Sequence, residues 1–162
     1  ISDYVAAVTK IVRRHGGHIM QFYGDGLLII FGGPFAKDSM EERALQAAKE
    51  IVAELMPAGE HGSTAGNSAD RFRVGIGVAT GQVTVGTLDM RDSGSTWALT
   101  GHSVNLASRL QELTKERDCT ILTDENTWGA GKAAALGFEK LEGVSIRGMS
   151  EARDLYLMRA NS

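Results

Sequence analysis

Apolar residues recur at helical spacing at the start of the chain. Tyr4, Val5, Val8, Ile11 and Val12 share one face, Ser2 stands where a cap belongs, and Gly16-Gly17 supplies a stop. The period then changes. Residues 18–31 form two apolar-rich arms, HIMQFY and LLIIF, around Gly24-Asp25-Gly26, and Asp-Gly between such runs predicts a hairpin. Helical spacing returns with Ala44, Leu45, Ala48, Ile51, Val52 and Leu55. Ser39 and Glu42 are placed as a capping box before that run, and Pro57 lies beyond it. Residues 58–70 are polar and rich in Gly and Ser, so they read as a loop. Residues 72–79 are expected as a strand, turned at Thr80-Gly81 onto a hairpin partner at 82–88, with a further strand restarting at 96–99. A third helix is expected at about 103–116, burying Leu106, Ala107, Leu110 and Leu113. A short strand at 119–122, a short helix at 130–135 and two strands at 141–146 and 154–158 complete the pattern.

Helix, hairpin, helix, hairpin, helix and then strands imply an α+β fold. The class is an α/β sandwich with a ferredoxin-like βαββαβ core, helices on one face and extra C-terminal strands. The order opens on a helix, so the first central strand of that core is expected to be missing. The whole of 1–162 is then a single domain, incomplete at its N-terminus.

Composition narrows the function. At 43% hydrophobic and 23% charged, the chain has enough apolar residues for a core. A net charge of -3 argues against a broad electrostatic grip on nucleic acid. No apolar run reaches the roughly 18 residues that span a bilayer. The lone Cys119 excludes an internal disulfide and fits a reducing, cytoplasmic setting. The four histidines lack zinc-ligand spacing.

Two places carry candidate chemistry. Asp25 at a hairpin tip would be an exposed, firmly held carboxylate, able to take one or two positions on Mg²⁺ and leave the rest to phosphates and water. The same Asp-Gly pair is also an ordinary turn. Asn105 and Arg109, spaced i, i+4, share a helix face and can orient a ribose or phosphate oxygen and neutralise charge on a phosphate. Alone, they equally describe a solvated polar face. The stretch G-I-G-V-A-T-G lacks the Lys-Ser/Thr ending of a phosphate loop and reads as close strand packing.

Together, H-G-G-H-I-M-Q-F-Y-G-D-G-L-L-I-I-F-G-G-P (15–34), R-V-G-I-G-V-A-T-G-Q-V-T-V-G (73–86), T-G-H-S-V-N-L-A-S-R-L (100–110) and V-S-I-R-G (144–148) resemble the catalytic domain of class III adenylyl and guanylyl cyclases, bacterial type, in order and spacing. The resemblance implies conversion of ATP or GTP to a 3′,5′-cyclic monophosphate and pyrophosphate, with two Mg²⁺ or Mn²⁺ ions per site. Asp25 matches the second of two metal aspartates, Asn105 the ribose-orienting residue and Arg109 the transition-state arginine. Arg147 matches a Lys that grips the terminal phosphates. The resemblance also implies a head-to-tail homodimer with sites between subunits, and regulatory domains elsewhere in a parent protein, a membrane tether among the arrangements it allows.

The chain departs from the family in three respects. The first metal aspartate belongs further upstream of Asp25 than the sequence extends, and Asp3 is too close to replace it, so the chain by itself is expected to be inactive. The base-selecting positions carry Gln21, in place of Lys or Glu, and Ala98, in place of Asp, Thr or Cys. Gln can pair with either purine and Ala makes no polar contact, so ATP, preferred here, is a family expectation. A non-catalytic module that dimerises or binds nucleotide is the alternative reading. A palm domain of the diguanylate cyclase or polymerase kind would need paired acids that Gly24-Asp25-Gly26 lacks. Trp97 and Trp128 read as packing or dimer-contact residues, and Arg91 as a minor phosphate candidate.

Overall fold

The structure, a computed structural model, describes residues 2–33, 39–56 and 73–159. The proposed loop at 58–70, Pro57 and Phe72 lie outside them. Helix α1 (Ser2–Arg14) buries Val8, Ile11 and Val12, as their spacing predicts. Gly16 adopts a left-handed φ of 84°. The bonds from Gly17 N to Val12 O (2.9 Å) and from Gly16 N to Arg13 O (3.1 Å) close the helix end. Gly17 serves a second purpose: a Cβ there would stand 2.7 Å from the Phe31 ring and 2.9 Å from Val12. The chain therefore leaves the helix pressed against its own returning hairpin.

Strands β1 (His18–Tyr23) and β2 (Gly26–Ile30) pair antiparallel across a two-residue turn, Gly24-Asp25, in which Gly24 has φ 57°. Ile19 opposes Ile29, but Gln21 opposes Leu28, so Met20 is an extra residue, a β-bulge. Because Ile29 and Leu28 point to opposite faces, the bulge puts Gln21 on the face away from Ile19. Ile19, Leu27 and Ile29 pack on the α1–α2 core, while Gln21, Tyr23 and Leu28 share the other side.

Helix α2 (Met40–Leu55) packs on α1 and buries Ala44, Leu45, Ala47, Ala48, Ile51 and Val52. The expected capping box does not form. Ser39 has a left-handed backbone (φ 62°, ψ 46°) and makes no side-chain cap bond, whereas a capping hydroxyl needs extended geometry to face the helix amides.

The expected second hairpin is also different. Strand β3 (Ile76–Val78) pairs in parallel with β6 (Ile121–Asp124), and β4 (Thr84–Met90) pairs with β5 (Gly94–Thr100). The cause lies in burial. Positions 84–89 are all exposed, whereas the whole of β6 is buried, so an exposed ribbon cannot fill the slot beside it. Helix α3 (His102–Glu116) lies directly on β3. A Cβ at Gly77 would meet Ala107 O at 2.1 Å and Gln111 N at 2.5 Å, so this glycine-rich stretch is a seat for a helix, in line with the packing reading.

The short helix expected at 130–135 begins earlier, as α4 (Glu125–Ala130), followed by a 3₁₀ turn at Ala133–Leu136. Asp124, ending β6, fixes its start by accepting from Thr127 N at 3.1 Å. Strands β7 (Glu139–Val144) and β8 (Arg153–Met158) complete a four-stranded sheet in the order β3-β6-β8-β7. Its apolar residues divide by alternation. Ile121 and Met158 join the α1–α2 core, whereas Leu122, Leu155 and Leu157 join Leu106 and Leu110 of α3 in a second cluster. Helices therefore cover both faces, not one. The fold is the expected mixed α/β class, and among the described residues β1–β2 and β4–β5 form separate two-stranded ribbons.

Candidate active site

Asp25 sits exposed at the tip of the first hairpin. No hydrogen bond or ion pair engages its carboxylate among the described residues. Its backbone carbonyl is held: the Tyr4 hydroxyl of α1 donates to it at 2.5 Å. Four positions earlier, on β1, the Gln21 amide oxygen accepts from the Tyr23 hydroxyl at 2.9 Å.

Strand β5 lies against β1, which brings Ala98, half-buried and paired with Gly86, to the same part of the molecule as Gln21. On α3, Asn105 is exposed, and Arg109, one turn further on, pairs with Glu112 at 3.1 Å. Arg147 is exposed in the turn after β7, where Gly148 has φ 85° and Met149 N bonds Ile146 O at 3.0 Å. A cleft of about 190 Å³ adjoins this turn, lined by His102, Gly148, Met149, Ser150, Glu151 and Arg153. Arg91 and Trp97 lie exposed on the β4–β5 ribbon; Trp128 stacks on Tyr156, with ring centroids 4.3 Å apart.

The strands that carry Gln21 and Ala98 touch, while Asp25 and Arg109 share no hydrogen bond or ion pair. Tyr4, Tyr23 and Glu112 are contacts that sequence reasoning missed. Glu112 was readable as an i, i+3 acid; the tyrosines needed the hairpin's three-dimensional path. No group of three or more His, Cys, Asp or Glu that could hold a metal occurs among the described residues. Asp25 fits as one ligand of a hard cation whose other positions go to phosphate and water oxygens. The donors do not amount to a two-ion cage.

The hairpin carboxylate, the polar face of α3 and the cationic turn after β7 are three separate exposed features, and comparison with known proteins supplies the class of domain that carries them. The sequence profile of the adenylate and guanylate cyclase catalytic domain matches residues 1–159, and the chain belongs to that family. An uncharacterised protein of Mycobacterium tuberculosis (strain CDC 1551 / Oshkosh) is 32% identical over 156 residues, covering 96% of this chain and 26% of its own length. Adenylate cyclase 1 of Rhizobium meliloti is 28% identical over 162 residues, covering 96% of this chain and 23% of its own. This chain therefore spans about a quarter of the length of such curated relatives. Among solved structures, the adenylyl cyclase CyaB of P. aeruginosa superposes with a TM-score of 0.76 at 21% identity, covering 96% of this chain and 78% of that one. The guanylate cyclase domain of RhGC from Catenaria anguillulae, in complex with GTP, gives 0.74 at 21% identity over 96% and 79%. At that identity these likenesses speak for the fold. No helix among the described residues is long and apolar enough to cross a membrane.

Proposed function

We propose that this domain converts a purine nucleoside triphosphate, ATP in preference to GTP, to the 3′,5′-cyclic monophosphate and pyrophosphate at a site shared by two copies of the chain. The ribose 3′-oxygen bonds to the α-phosphorus and loses its proton. The bond from the α-phosphorus to the oxygen bridging to the β-phosphate breaks, and pyrophosphate leaves. The observation that carries this reading is the exposed Asp25 carboxylate, unpaired among the described residues, on a hairpin tip that packing and the Tyr4 hydroxyl hold in place, within a chain matched almost end to end by the cyclase family.

Asp25 would hold a Mg²⁺ or Mn²⁺ ion. When bound, that ion draws charge from the phosphate oxygens. Asn105 orients the ribose. Arg109 neutralises charge growing on the α-phosphate, and Arg147 grips the terminal phosphates with a bidentate fork where relatives use Lys. Arg109 must first leave Glu112. A partly exposed ion pair of this kind is worth only about 0.2–1 kcal/mol, so a triphosphate displaces it readily.

The choice of ATP rests on Tyr23. With one lone pair of the Gln21 oxygen taken by the Tyr23 hydroxyl, the amide is biased toward offering its NH₂ to the base. Adenine N1 accepts a hydrogen bond, whereas guanine N1 carries a proton and needs an acceptor. Adenylate cyclases stand among the relatives and guanylate cyclases among the similar structures, so the preference rests on this side-chain geometry alone. A shared site is supported by the absence of a hydrogen bond or ion pair between Asp25 and Arg109, and by exposed Val85, Leu88 and Trp97 on the β4–β5 ribbon and exposed Phe22 and Tyr23 on β1, which suit burial against a second copy.

Ala98, which offers the base no polar contact, favours the alternative of a non-catalytic nucleotide-binding module. Incubating the full-length parent protein with ATP or GTP and Mn²⁺ separates the two: cyclic product supports the enzyme, and nucleotide bound without product supports the module.

A further inference from the structure

We propose that Tyr4 is a positioning residue: its hydroxyl fixes the hairpin tip against α1 and so sets the direction of the Asp25 carboxylate toward its cation. The proposal rests on the metal role of Asp25 given above.

The geometry starts at the Gly16-Gly17 corner. From Tyr4 to Arg14, α1 rises about 15 Å at 1.5 Å per residue. From His18 to Tyr23 the strand returns about 17 Å at 3.3 Å per residue, less what the bulge at Met20 removes, and the turn places Asp25 just past its end. Helical side chains lean toward the N-terminus, so Tyr4 reaches beyond its own Cα and closes the remaining gap. Its ring packs against the α1–α2 core, while its hydroxyl donates to Asp25 O at 2.5 Å.

The base of the hairpin is held separately, by Phe31 and Val12 closing on Gly17. Helix α1 is therefore fastened to the hairpin at both ends. Ile19, Leu27 and Ile29 hold the body of the hairpin on the core, but beyond Leu27 the tip is open: Gly24 is exposed and has nothing within 4 Å of where a Cβ would be. Fixing the Asp25 carbonyl restrains the peptide plane next to the ligating side chain and reduces the ordering that cation binding must impose.

The test is Tyr4→Phe in the full-length protein, which keeps the packed ring and removes the hydroxyl. Two readouts need no turnover: amide hydrogen exchange at residues 23–26, and Mn²⁺ affinity from the electron paramagnetic resonance of free Mn²⁺ in the presence of a non-cyclisable ATP analogue. Losing one net hydrogen bond should speed exchange at the tip and weaken Mn²⁺ binding, each about threefold to tenfold, with melting lowered by at most a few degrees and exchange in α2 moved less than exchange at the tip. Unchanged tip exchange, unchanged Mn²⁺ affinity, or acceleration spread across the domain would overturn the proposal. Asp25→Asn separates the premise from the inference. If it leaves Mn²⁺ affinity unchanged, the metal role of Asp25 fails and takes the proposal with it. If it weakens binding while Tyr4→Phe does not, only the positioning role fails.

Discussion

Tyr23 and Gln21 lie two positions apart on the same face of β1, and the hydroxyl of the first donates to the amide oxygen of the second at 2.9 Å. This bond leaves Gln21 biased toward donation. Tyr23→Phe frees the oxygen to accept from guanine, so the ratio of kcat/KM for ATP over GTP should fall about threefold to tenfold, the worth of one net hydrogen bond. Gln21→Lys with Ala98→Asp should raise it. If neither change moves the ratio, these side chains do not read the base.

Asp25→Ala and Arg109→Ala should each lower kcat by about a hundredfold or more, as expected when a group that meets transition-state charge is removed. Because both sites are at least partly exposed, thermal melting should barely change. If each site draws on two chains, mixing the two inactive variants restores turnover to about a quarter of the unmodified level, since half the pairs are mixed and each mixed pair holds one intact site of two. No recovery on mixing would place both residues in a site built by one chain.

Gly77→Ala should destabilise the domain by about 3 kcal/mol, at the upper end of the usual overpacking cost. Its Cβ would meet main-chain atoms of α3, Ala107 O at 2.1 Å and Gln111 N at 2.5 Å, and main chain cannot rotate away. Gly86→Ala, with nothing within 4 Å of its Cβ, is the control. A chemical denaturation curve for each checks the pair; equal midpoints would refute the seat.

Half-buried His15 is held below its ordinary value of 6.5, first by burial and then by Arg14 and Arg43; Glu50, 2.6 Å from its ring, is shared with Arg14. A lowered folded value means that the unfolded chain binds more protons just below pH 6.5. Stability is therefore full above that value and declines as pH falls through the folded one. Melting temperature should drop from pH 7 to about pH 5.5 in the unmodified protein, and drop less in His15→Gln. Parallel profiles would show that His15 does not govern this range.

Much of the fold was legible because its signals are local. Val8, Ile11 and Val12, like Leu45, Ala48 and Val52, repeat with the helical period and are buried where that period puts them. Asp-Gly gave the first turn to within a residue. What depends on distant pairing was not legible. Nothing near residues 76–78 announces a parallel partner at 121–123, and the alternation of β4 resembles a hairpin partner of β3 until burial shows otherwise. Local signals also failed where the backbone overruled them: Ser39 has the right side chain for a cap and the wrong φ. In the candidate site, Asp25, Asn105, Arg109 and Arg147 were found by motif. The tyrosines that hold Asp25 and Gln21 carry no motif, since their partners are chosen by the way the hairpin folds back.

The extra residue at Met20 gives the first strand slack in its length. Replacing Met20 with another residue would leave the strand's frame intact. Deleting it would join Ile19 to Gln21 in regular alternation, with Gln21, Phe22 and Tyr23 still opposite Leu28, Leu27 and Gly26. Loss of one residue at that point is therefore silent for the pairing, whereas loss of one further along, where no spare residue exists, would carry the neighbouring side chains to the opposite face.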